Sequence, residues 1–401
     1  MSPPRLARRL EHIEPFYVME LAKAASAVAA SPACDPARGG EPMLFLNIGE
    51  PDFTAAAPVQ AAAAAALAAG RTQYTDALGL WPLRERIARW YARQHGVAVD
   101  PARIVVTAGA SAALQLVCLA LFEPGDEVLM ADPSYPCNRH FVAATGAAAR
   151  LLPAGPAQRF QPDAAGVAAA WTPATRGVLL ASPGNPTGTS IAPEEMAAIA
   201  RTVAARGGVT LVDEIYLGLS YDQRFGRTAL ALDDAAVADS LVSINSFSKY
   251  FGMTGWRLGW LVLPPALVAP VERLAQNLYI CPSTLAQHAA LACFEPEALA
   301  EFERRRAAFR ERRDFIVPAL EALGLPVPVV PDGAFYAWFD CTRHASSSWD
   351  FCQRLLHEAH VALTPGRDFG PHAADRYVRL SFASSLPTLQ QAVARLARAL
   401  H

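Results

Sequence analysis

The segment IVVTAGASAALQLVCLALF, residues 104–122, carries no charged side chain and is almost long enough to cross a bilayer. Its first four residues are all β-branched, Gly109 and Ser111 then interrupt the apolar run, and residues 112–121 continue with a helical pattern. This order predicts a buried strand, a tight turn and a helix rather than a membrane helix. We therefore expect the segment to begin the α/β part of the chain.

Similar apolar runs recur between about residues 44 and 280, and longer amphipathic stretches separate them. Continuous apolar strands that alternate with helices indicate a mostly parallel sheet with helices on both faces. The predicted fold class is therefore α/β, with a three-layer α/β/α large domain around a mostly parallel, seven-stranded sheet. The runs are IVVT at 104–107, EVLMA at 127–131, GVLLA at 177–181, VTLVD at 209–213, LVSIN at 241–245 and GWLVL at 259–263.

The pattern changes after about residue 287. A long charged helix is expected around residues 302–316, followed by short strands near 335–339 and 377–381. These elements predict a smaller α+β domain. We place the large domain at residues 44–286 and build the small domain from residues 287–401 together with an N-terminal arm, residues 1–43.

Composition favours small-molecule chemistry. The formal net charge of −2 and the charged fraction of 18% provide no electrostatic reason to expect nucleic acid or a membrane surface as a partner. The seven cysteines are scattered and lack the paired spacing of zinc sites, so we expect reduced thiols, no metal and a cytoplasmic protein. The N-terminus shows no apolar core followed by a cleavage site, so no secretory signal is expected.

Lysine is unusually rare. Only Lys23 and Lys249 among the 35 basic residues are lysines, and the rest are arginines. A guanidinium stays protonated, whereas an ammonium can be shifted to a neutral, reactive amine. A lysine retained in such a chain is a candidate for chemistry that arginine cannot perform, although Lys23 is also compatible with chance survival.

Polar clusters follow five of the predicted strands directly: TAGAS, DPSYP, SPGNPTG, DEIY and NSFSK. In open α/β sheets, ligands bind outside the carboxyl ends of the strands. The five clusters are therefore expected to meet at one site.

The segment SFSKYFGMTGWRLG, residues 246–259, closely resembles the cofactor-lysine signature of the fold-type I, class I/II aminotransferases, the aspartate and aromatic aminotransferase superfamily. NIGEPDF at 47–53, SPGNPTG at 182–188 and DEIY at 213–216 resemble further motifs of that family in the same order. The resemblance extends from PFYVMEL at 15–21 to RLSFA at 379–383. It implies a pyridoxal-5'-phosphate enzyme that transfers the amino group of an L-amino acid to a 2-oxo acid by a ping-pong mechanism.

The resemblance also implies roles for individual residues. Lys249 would carry the cofactor as an imine and then act as the proton-transfer base. Asp213 would pair with the pyridine nitrogen, although a strand-end or capping carboxylate is the alternative. Tyr216 and Asn185 would bond the phenolic oxygen, with a plain turn residue as the alternative for Asn185. Tyr135 would stack on the ring, and its alternative is a core tyrosine.

The phosphate would be bound where a helix begins near Ala110 and Ser111, after Gly109, because unpaired backbone N–H groups and the helix dipole favour an anion. Side chains that would complete this subsite are Ser246, Ser248 and Arg257. Glycine and serine before a helix are also common as simple caps.

The resemblance places two further groups around the substrate. Arg379 would clamp the substrate carboxylate with its planar guanidinium, together with Asn185, and Gly49 would allow close backbone approach. A surface salt bridge is the alternative for Arg379. Tyr74 would reach the phosphate from the neighbouring subunit, which implies a homodimer with a shared active site.

Two other functions remain open at this point. The same carbanion chemistry could lead to β-elimination or decarboxylation instead of transamination. A non-catalytic, cofactor-binding regulatory module would carry a DNA-binding segment before the sheet, but the first 43 residues contain no basic recognition helix. We therefore expect an enzyme.

Overall fold

The structure is a computed structural model, and it describes residues 4–14 and 17–400. Pro15 and Phe16 of the PFYVMEL stretch lie outside the described residues. The strands are β1 Leu44–Phe45, β2 Ile104–Thr107, β3 Glu127–Asp132, β4 Ala148–Pro153, β5 Thr175–Ala181, β6 Val209–Asp213, β7 Leu241–Ser246, β8 Gly259–Val262, β9 Tyr336–Asp340, β10 Val361–Ala362, β11 Thr364–Pro365 and β12 Tyr377–Ser381.

The helices lie mainly between these strands. They are α1 Tyr17–Ala29, α2 Ala57–Ala68, α3 Trp81–His95, α4 Gly109–Leu121, α5 Pro136–Thr145, α6 Ala164–Ala170, α7 Pro193–Ala204, α8 Ala235–Ala238, α9 Pro265–Leu278, α10 Thr284–Leu291, α11 Pro296–Ala322, α12 Ser348–Glu358 and α13 Leu386–Leu400. None of the helices within the described residues is both long and apolar enough to cross a membrane.

A seven-stranded sheet forms the centre of the fold, in the order β2-β8-β7-β6-β5-β3-β4. Only β8 runs antiparallel to its neighbours in this sheet, and the other adjacent pairs are parallel. This arrangement confirms the predicted mostly parallel, seven-stranded sheet.

Both faces of the sheet are covered, as the apolar runs predict. Val178 and Leu180 of β5 pack in a cluster with Ile199 and Val203 of α7. Leu179 between them points to the other face and packs in a cluster with residues of α4 and α9. Successive strand residues face opposite sides, so an unbroken apolar run is what a sheet between two helical layers requires. The three-layer α/β/α prediction is confirmed.

The strand at the outer edge was not identified from the sequence. All six predicted runs are strands, and the seventh strand is β4, whose residues are exposed or only half-buried. Its sequence AARLLP begins with two alanines, includes Arg150 and ends with Pro153. Alanine and proline are poor strand formers, and an edge strand needs no second apolar face. The sequence of β4 therefore lacks the apolar, β-branched run by which a buried strand is predicted.

The C-terminal elements form a second sheet. The antiparallel strands β11, β12 and β9 lie side by side, and α11 is the long charged helix that the sequence predicts. The N-terminal strand β1 pairs in parallel with β10. The chain therefore contacts the C-terminal part before it enters the large sheet. The division at residues 44 and 287 remains a prediction. All seven cysteines are unpaired.

Gly259 allows the central sheet to approach the start of α4. It pairs with Thr107 of β2 and with Ser246 of β7, at the end of the sheet where α4 begins. A Cβ atom at position 259 would lie 2.8 Å from the backbone nitrogen of Ala110 and 2.8 Å from the carbonyl oxygen of Asn245. Backbone atoms on both sides leave no flexible side chain to move aside.

We expect Gly259→Ala to lower the free energy of unfolding by about 1–3 kcal/mol, because the added methyl group overpacks two backbone segments. It should also weaken binding of the expected cofactor, since the displaced segment contains the start of α4, where the sequence predicts the phosphate subsite. Thermal unfolding and cofactor titration would measure both effects. Gly255→Ala is the matched control, because a Cβ there meets nothing within 4 Å. Equal behaviour of the two variants would contradict this account.

Candidate functional site

A cavity of about 470 Å³ lies at the carboxyl ends of β5, β6 and β7. The ends of these strands and the segments that follow them contribute Asn185, Asp213, Tyr216, Ser248 and Lys249 to its wall. The other residues predicted for the site that line the cavity are Gly49, Ala110, Ser111, Tyr135, Ser246, Arg257 and Arg379. The polar clusters thus converge as the sheet topology predicts.

Lys249 lies three residues after the end of β7, and it lines the cavity. The Nζ atom donates a hydrogen bond to the carbonyl oxygen of Gly49 at 2.6 Å. Burial lowers the pKa of Lys249 to about 8, the nearby Glu50 and Asp213 carboxylates oppose this shift, and Arg379 and Arg257 favour it. A substantial share of the amine is therefore neutral and nucleophilic slightly above neutral pH.

Asp213, the last residue of β6, is 3% exposed. Its Oδ1 atom accepts a hydrogen bond from the backbone N–H of Ile215 at 3.1 Å. Burial raises the pKa of Asp213 to about 7, while this hydrogen bond and the charge of Lys249 lower it. A protonated ring nitrogen placed beside this carboxyl group would favour its ionised form, because an adjacent cation compensates for lost hydration.

The anion-binding features lie together at the first turn of α4. This helix begins at Gly109, close to the start predicted near Ala110 and Ser111. Gly109 itself is not part of the cavity wall, but a Cβ there would come within 2.6 Å of Nη2 of Arg257, so glycine lets the guanidinium approach the turn. No carboxylate of the described residues forms an ion pair with Arg257.

The hydroxyl groups of two serines belong to the same region. Ser246 and Ser248 are both buried and line the cavity, and Oγ of Ser246 accepts a hydrogen bond from the backbone N–H of Ser248 at 3.0 Å. Hydroxyls, a guanidinium and helix N–H groups are the donors that a phosphate monoester requires. The donor set therefore fits the phosphate of pyridoxal phosphate.

Arg379 of β12 is a buried cation, only 3% exposed. Its Nη1 atom donates to Oδ1 of Asn185 at 2.9 Å, and Nη2 donates to the backbone oxygen of Asn47 at 2.6 Å. Its Nε atom has no hydrogen-bond partner, and none of the described carboxylates forms an ion pair with it. A buried guanidinium with only neutral partners favours an incoming carboxylate.

Two aromatic residues of the predicted site lie beside the cavity in different ways. Tyr216 is almost fully buried, and burial raises the pKa of its hydroxyl well above the ordinary value. Tyr135 lies directly before α5 and is half-buried. Burial likewise raises the pKa of the Tyr135 hydroxyl, so both phenols remain protonated at neutral pH.

Tyr74, like Gly109, is a predicted site residue that does not line the cavity, and it also lacks the contact that joins Gly109 to Arg257. Its side chain is 80% exposed, and it is absent from the cavity wall. The contribution of Tyr74 to the site of a neighbouring subunit remains a prediction.

Sequence reasoning missed several residues of the wall. Tyr336 of β9 lines the cavity, and its hydroxyl lies 2.8 Å from that of Tyr216. Ala22 of α1 and the exposed Ile48 were also missed, and they add an apolar surface beside Val18, which belongs to a stretch considered for side-chain specificity. The strand run that contains Tyr336 was recognised, but nothing in it distinguished this tyrosine from a core aromatic. Among the described residues, no cluster of three or more potential metal ligands is present.

Comparison with known proteins identifies the family. Residues 41–396 match the family "aminotransferase class I and II". The chain is 41% identical over 384 residues to a valine–pyruvate aminotransferase of Mycobacterium tuberculosis, which covers 96% of each chain. It is 38% identical over 359 residues to an arginine–pyruvate transaminase of Pseudomonas aeruginosa, covering 89% of this chain and 90% of that protein.

The fold agrees with solved structures as well. The crystal structure of an aminotransferase from Mycobacterium tuberculosis superposes with a TM-score of 0.90, at 40% identity and 99% coverage of both chains. The chain therefore belongs to the class I and II aminotransferases. It is a pyridoxal-5'-phosphate-dependent enzyme that moves an amino group between an amino acid and a 2-oxo acid, which favours transamination over the other two functions considered.

The lowered pKa of Lys249 generates a prediction for the cofactor-free protein. Because only a neutral amine attacks an aldehyde, the rate of capture of pyridoxal phosphate should rise with pH around a midpoint near 8. Borohydride reduction followed by peptide mapping would identify the modified lysine at each pH. Lys249→Ala should lose the label and Lys23→Ala should keep it. A label on Lys23, or a midpoint near that of a free lysine, would contradict the assignment.

Proposed function

We propose that Lys249 binds the cofactor covalently and later moves the proton at the substrate alpha carbon. Three neutral or anionic groups would orient the ring: Asp213 at the pyridine nitrogen, and Tyr216 and Asn185 at the phenolic oxygen. When bound, pyridoxal phosphate supplies an electron sink for the carbanion that proton removal creates. The observation that carries this proposal is the convergence of these residues on one cavity around a lysine whose pKa is lowered.

The remaining predicted residues divide between the two anions that the reaction brings together. Ala110, Ser111, Ser246, Ser248 and Arg257 would hold the cofactor phosphate, with Gly109 opening the turn. Arg379 would bind the substrate carboxylate, because its buried guanidinium lacks an ionic partner among the described residues. The backbone at Gly49 would lie beside that carboxylate, since its carbonyl already contacts Lys249.

We further propose that the amino donor carries an aliphatic side chain and that pyruvate is the acceptor. The cavity wall includes the apolar residues Val18, Ala22, Ile48 and Phe141. The described cations of the wall are Lys249, Arg257 and Arg379. The first two are proposed to bind the cofactor and the third to bind the substrate carboxylate, so no cation is left for a side-chain carboxylate. A relative that acts on valine and pyruvate supports the same preference.

A donor panel tests this preference. Valine, alanine and leucine should react with pyruvate at higher kcat/KM than aspartate, because a desolvated side-chain carboxylate would find no counter-charge. Formation of the new amino acid and the new 2-oxo acid in equal amounts should be measured by chromatography. A preference for aspartate would contradict the aliphatic assignment, and a preference for arginine would point to Glu50. Release of ammonia would instead indicate elimination.

A single substitution tests whether the lack of a further cation in the cavity wall determines the preference. Ala22→Arg introduces a cation into the cavity wall and should shift the ratio of kcat/KM toward aspartate by about tenfold, the value of a modest charge-assisted hydrogen bond. Ala27→Arg is the control, because residue 27 is exposed on the same helix and does not line the cavity.

We propose a homodimer in which Tyr74 reaches the phosphate of the neighbouring subunit. The segment around Tyr74 is attached to α10, since Thr284 donates to the carbonyl oxygen of Gln73 at 2.7 Å. Leu278, the last residue of α9, and Ile280, in the connection between α9 and α10, are 51% and 52% exposed. Exposed large apolar side chains on adjoining segments are typical of a contact surface.

Co-expression of two variants tests the shared site. In a hybrid of Tyr74→Ala and Lys249→Ala chains, one site would contain both an intact Lys249 and an intact Tyr74 from the partner. Activity at limiting cofactor should therefore exceed that of either variant alone. If Tyr74 acts within its own chain, hybrids contain no intact site and activity stays at the level of the parents. Sedimentation velocity would establish the oligomeric state in parallel.

The cellular location is also a proposal. Seven unpaired cysteines, five of them buried, suit a reducing compartment such as the cytoplasm, where an enzyme of amino acid metabolism and biosynthesis would act.

A further inference from the structure

The hydroxyl of Tyr336 occupies a central position in the cavity wall. Tyr336 is fully buried in β9, and its hydroxyl oxygen lies 2.8 Å from the hydroxyl oxygen of Tyr216. A Cβ atom on Gly49 would lie 2.4 Å from the same hydroxyl, so Tyr336 also approaches the backbone that accepts the Lys249 hydrogen bond. One hydroxyl therefore adjoins two groups of the proposed chemistry.

The guanidinium of Arg379 fixes the Tyr336 ring. Its Cζ atom lies 4.6 Å from the ring centroid, within the range of a cation–π contact. Across the antiparallel pair, Tyr336 is in register with Ser381, two residues beyond Arg379. The ring is also perpendicular to that of Tyr216, with centroids 5.7 Å apart. Packing on these sides leaves the hydroxyl little freedom to turn away.

The number of protons decides the direction of the hydrogen bond between the two tyrosines. A neutral phenol has one proton to donate. If Tyr216 donates its proton to the phenolic oxygen of the cofactor, as proposed above, then the 2.8 Å contact requires Tyr336 to donate to Tyr216. Hydrogen bonds in such a chain polarise one another, and the accepting hydroxyl becomes the stronger donor.

We propose that Tyr336 is a positioning residue that strengthens the hydrogen bond from Tyr216 to the cofactor oxygen and thereby lowers the pKa of the nitrogen that joins Lys249 to the cofactor. The inference rests on the proposed function. It adds the Tyr336 hydroxyl as the group that donates a hydrogen bond to the Tyr216 hydroxyl. A stronger donor at the phenolic oxygen stabilises its anionic form, which favours loss of the proton from the nitrogen. The effect would keep the holoenzyme ready for substrate at neutral pH.

The other ionisable groups around this linkage remain the same when only the Tyr336 hydroxyl is removed. They come from the segment after β1, from the residue that directly precedes α5, from the ends of β6 and β7, from the segment before β8, and from β12. The charged and phenolic residues of the cavity wall are Glu50, Tyr135, Asp213, Tyr216, Lys249, Arg257 and Arg379.

Spectrophotometric titration of the purified holoenzyme tests the inference. The visible absorbance of the bound cofactor should change with pH in the wild type, and Tyr336→Phe should move the midpoint upward by about half a pH unit, the equivalent of a weak neutral hydrogen bond. Tyr216→Phe should move it further, because it removes the direct donor. The titration needs no substrate and is independent of turnover.

Two comparisons separate the relay from a general loss of structure. Tyr221→Phe is the matched control, since this buried tyrosine donates to the carbonyl oxygen of Ala334 near β9 but does not line the cavity. It should leave the midpoint unchanged. In the double variant Tyr216→Phe and Tyr336→Phe, the midpoint should match that of Tyr216→Phe alone, because Tyr336 acts only through Tyr216.

The outcomes are distinct. An unchanged midpoint in Tyr336→Phe, or an additive shift in the double variant, overturns the relay. An increase in the donor KM with an unchanged midpoint would assign Tyr336 to the substrate carboxylate instead and also overturns it. Absence of a titratable visible band in the wild type would contradict the Lys249 linkage itself, so failure of the proposed function is recognised separately.

Discussion

The structure depends on removing the Lys249 ammonium from water. Bulk solvent would keep this amine protonated and unreactive, whereas burial lowers its pKa to about 8. The cost of burial is limited by one short hydrogen bond, 2.6 Å from Nζ to the carbonyl oxygen of Gly49. A carbonyl dipole stabilises the charged amine less than a carboxylate would, so the amine remains easy to deprotonate. The balance between burial and this neutral acceptor gives the lysine its nucleophilic character.

The hydrogen bond from Lys249 to Gly49 also joins two segments that are far apart in the chain. Lys249 follows the central strand β7, whereas Gly49 follows β1, which pairs with β10. The segment between β1 and Gly49 is held from the other side as well, because Ser381 donates to the carbonyl oxygen of Leu46 and Arg379 donates to that of Asn47. The carbonyl that controls Lys249 and the guanidinium proposed for the substrate carboxylate are therefore attached to the same backbone segment.

Most of the fold could be predicted from the sequence because the central strands are buried on both faces. Runs such as VTLVD and IVVT coincide with β6 and β2 to the residue. The edge strand β4 could not be found, because it is exposed and has alanine and proline where a central strand would have β-branched residues. The site residues at strand ends were predictable by the same logic, since strand polarity determines where their polar clusters lie.

The contacts that sequence reasoning missed join residues far apart in the chain. Tyr336 and Tyr216 are separated by 120 positions, and the apolar strand run around Tyr336 does not distinguish it from a core aromatic. Ala22 of α1 was missed for a related reason, because an alanine carries no chemical signal. Local pattern therefore predicts which groups react, whereas the groups that tune them or select a substrate become evident only from packing between elements.

The cavity wall contains ionisable groups of both signs. Three cations, Lys249, Arg257 and Arg379, line it together with the carboxyl groups of Asp213 and Glu50. Burial raises the pKa of Asp213 to about 7, so this group alone does not neutralise the cavity. A phosphate and a carboxylate bound in the same space would supply the missing negative charge. Their binding would also stabilise the folded protein by mass action, because an unfolded chain lacks this arrangement. The buried cations that are costly to hold in this cavity are thus the same groups that would attract both anions.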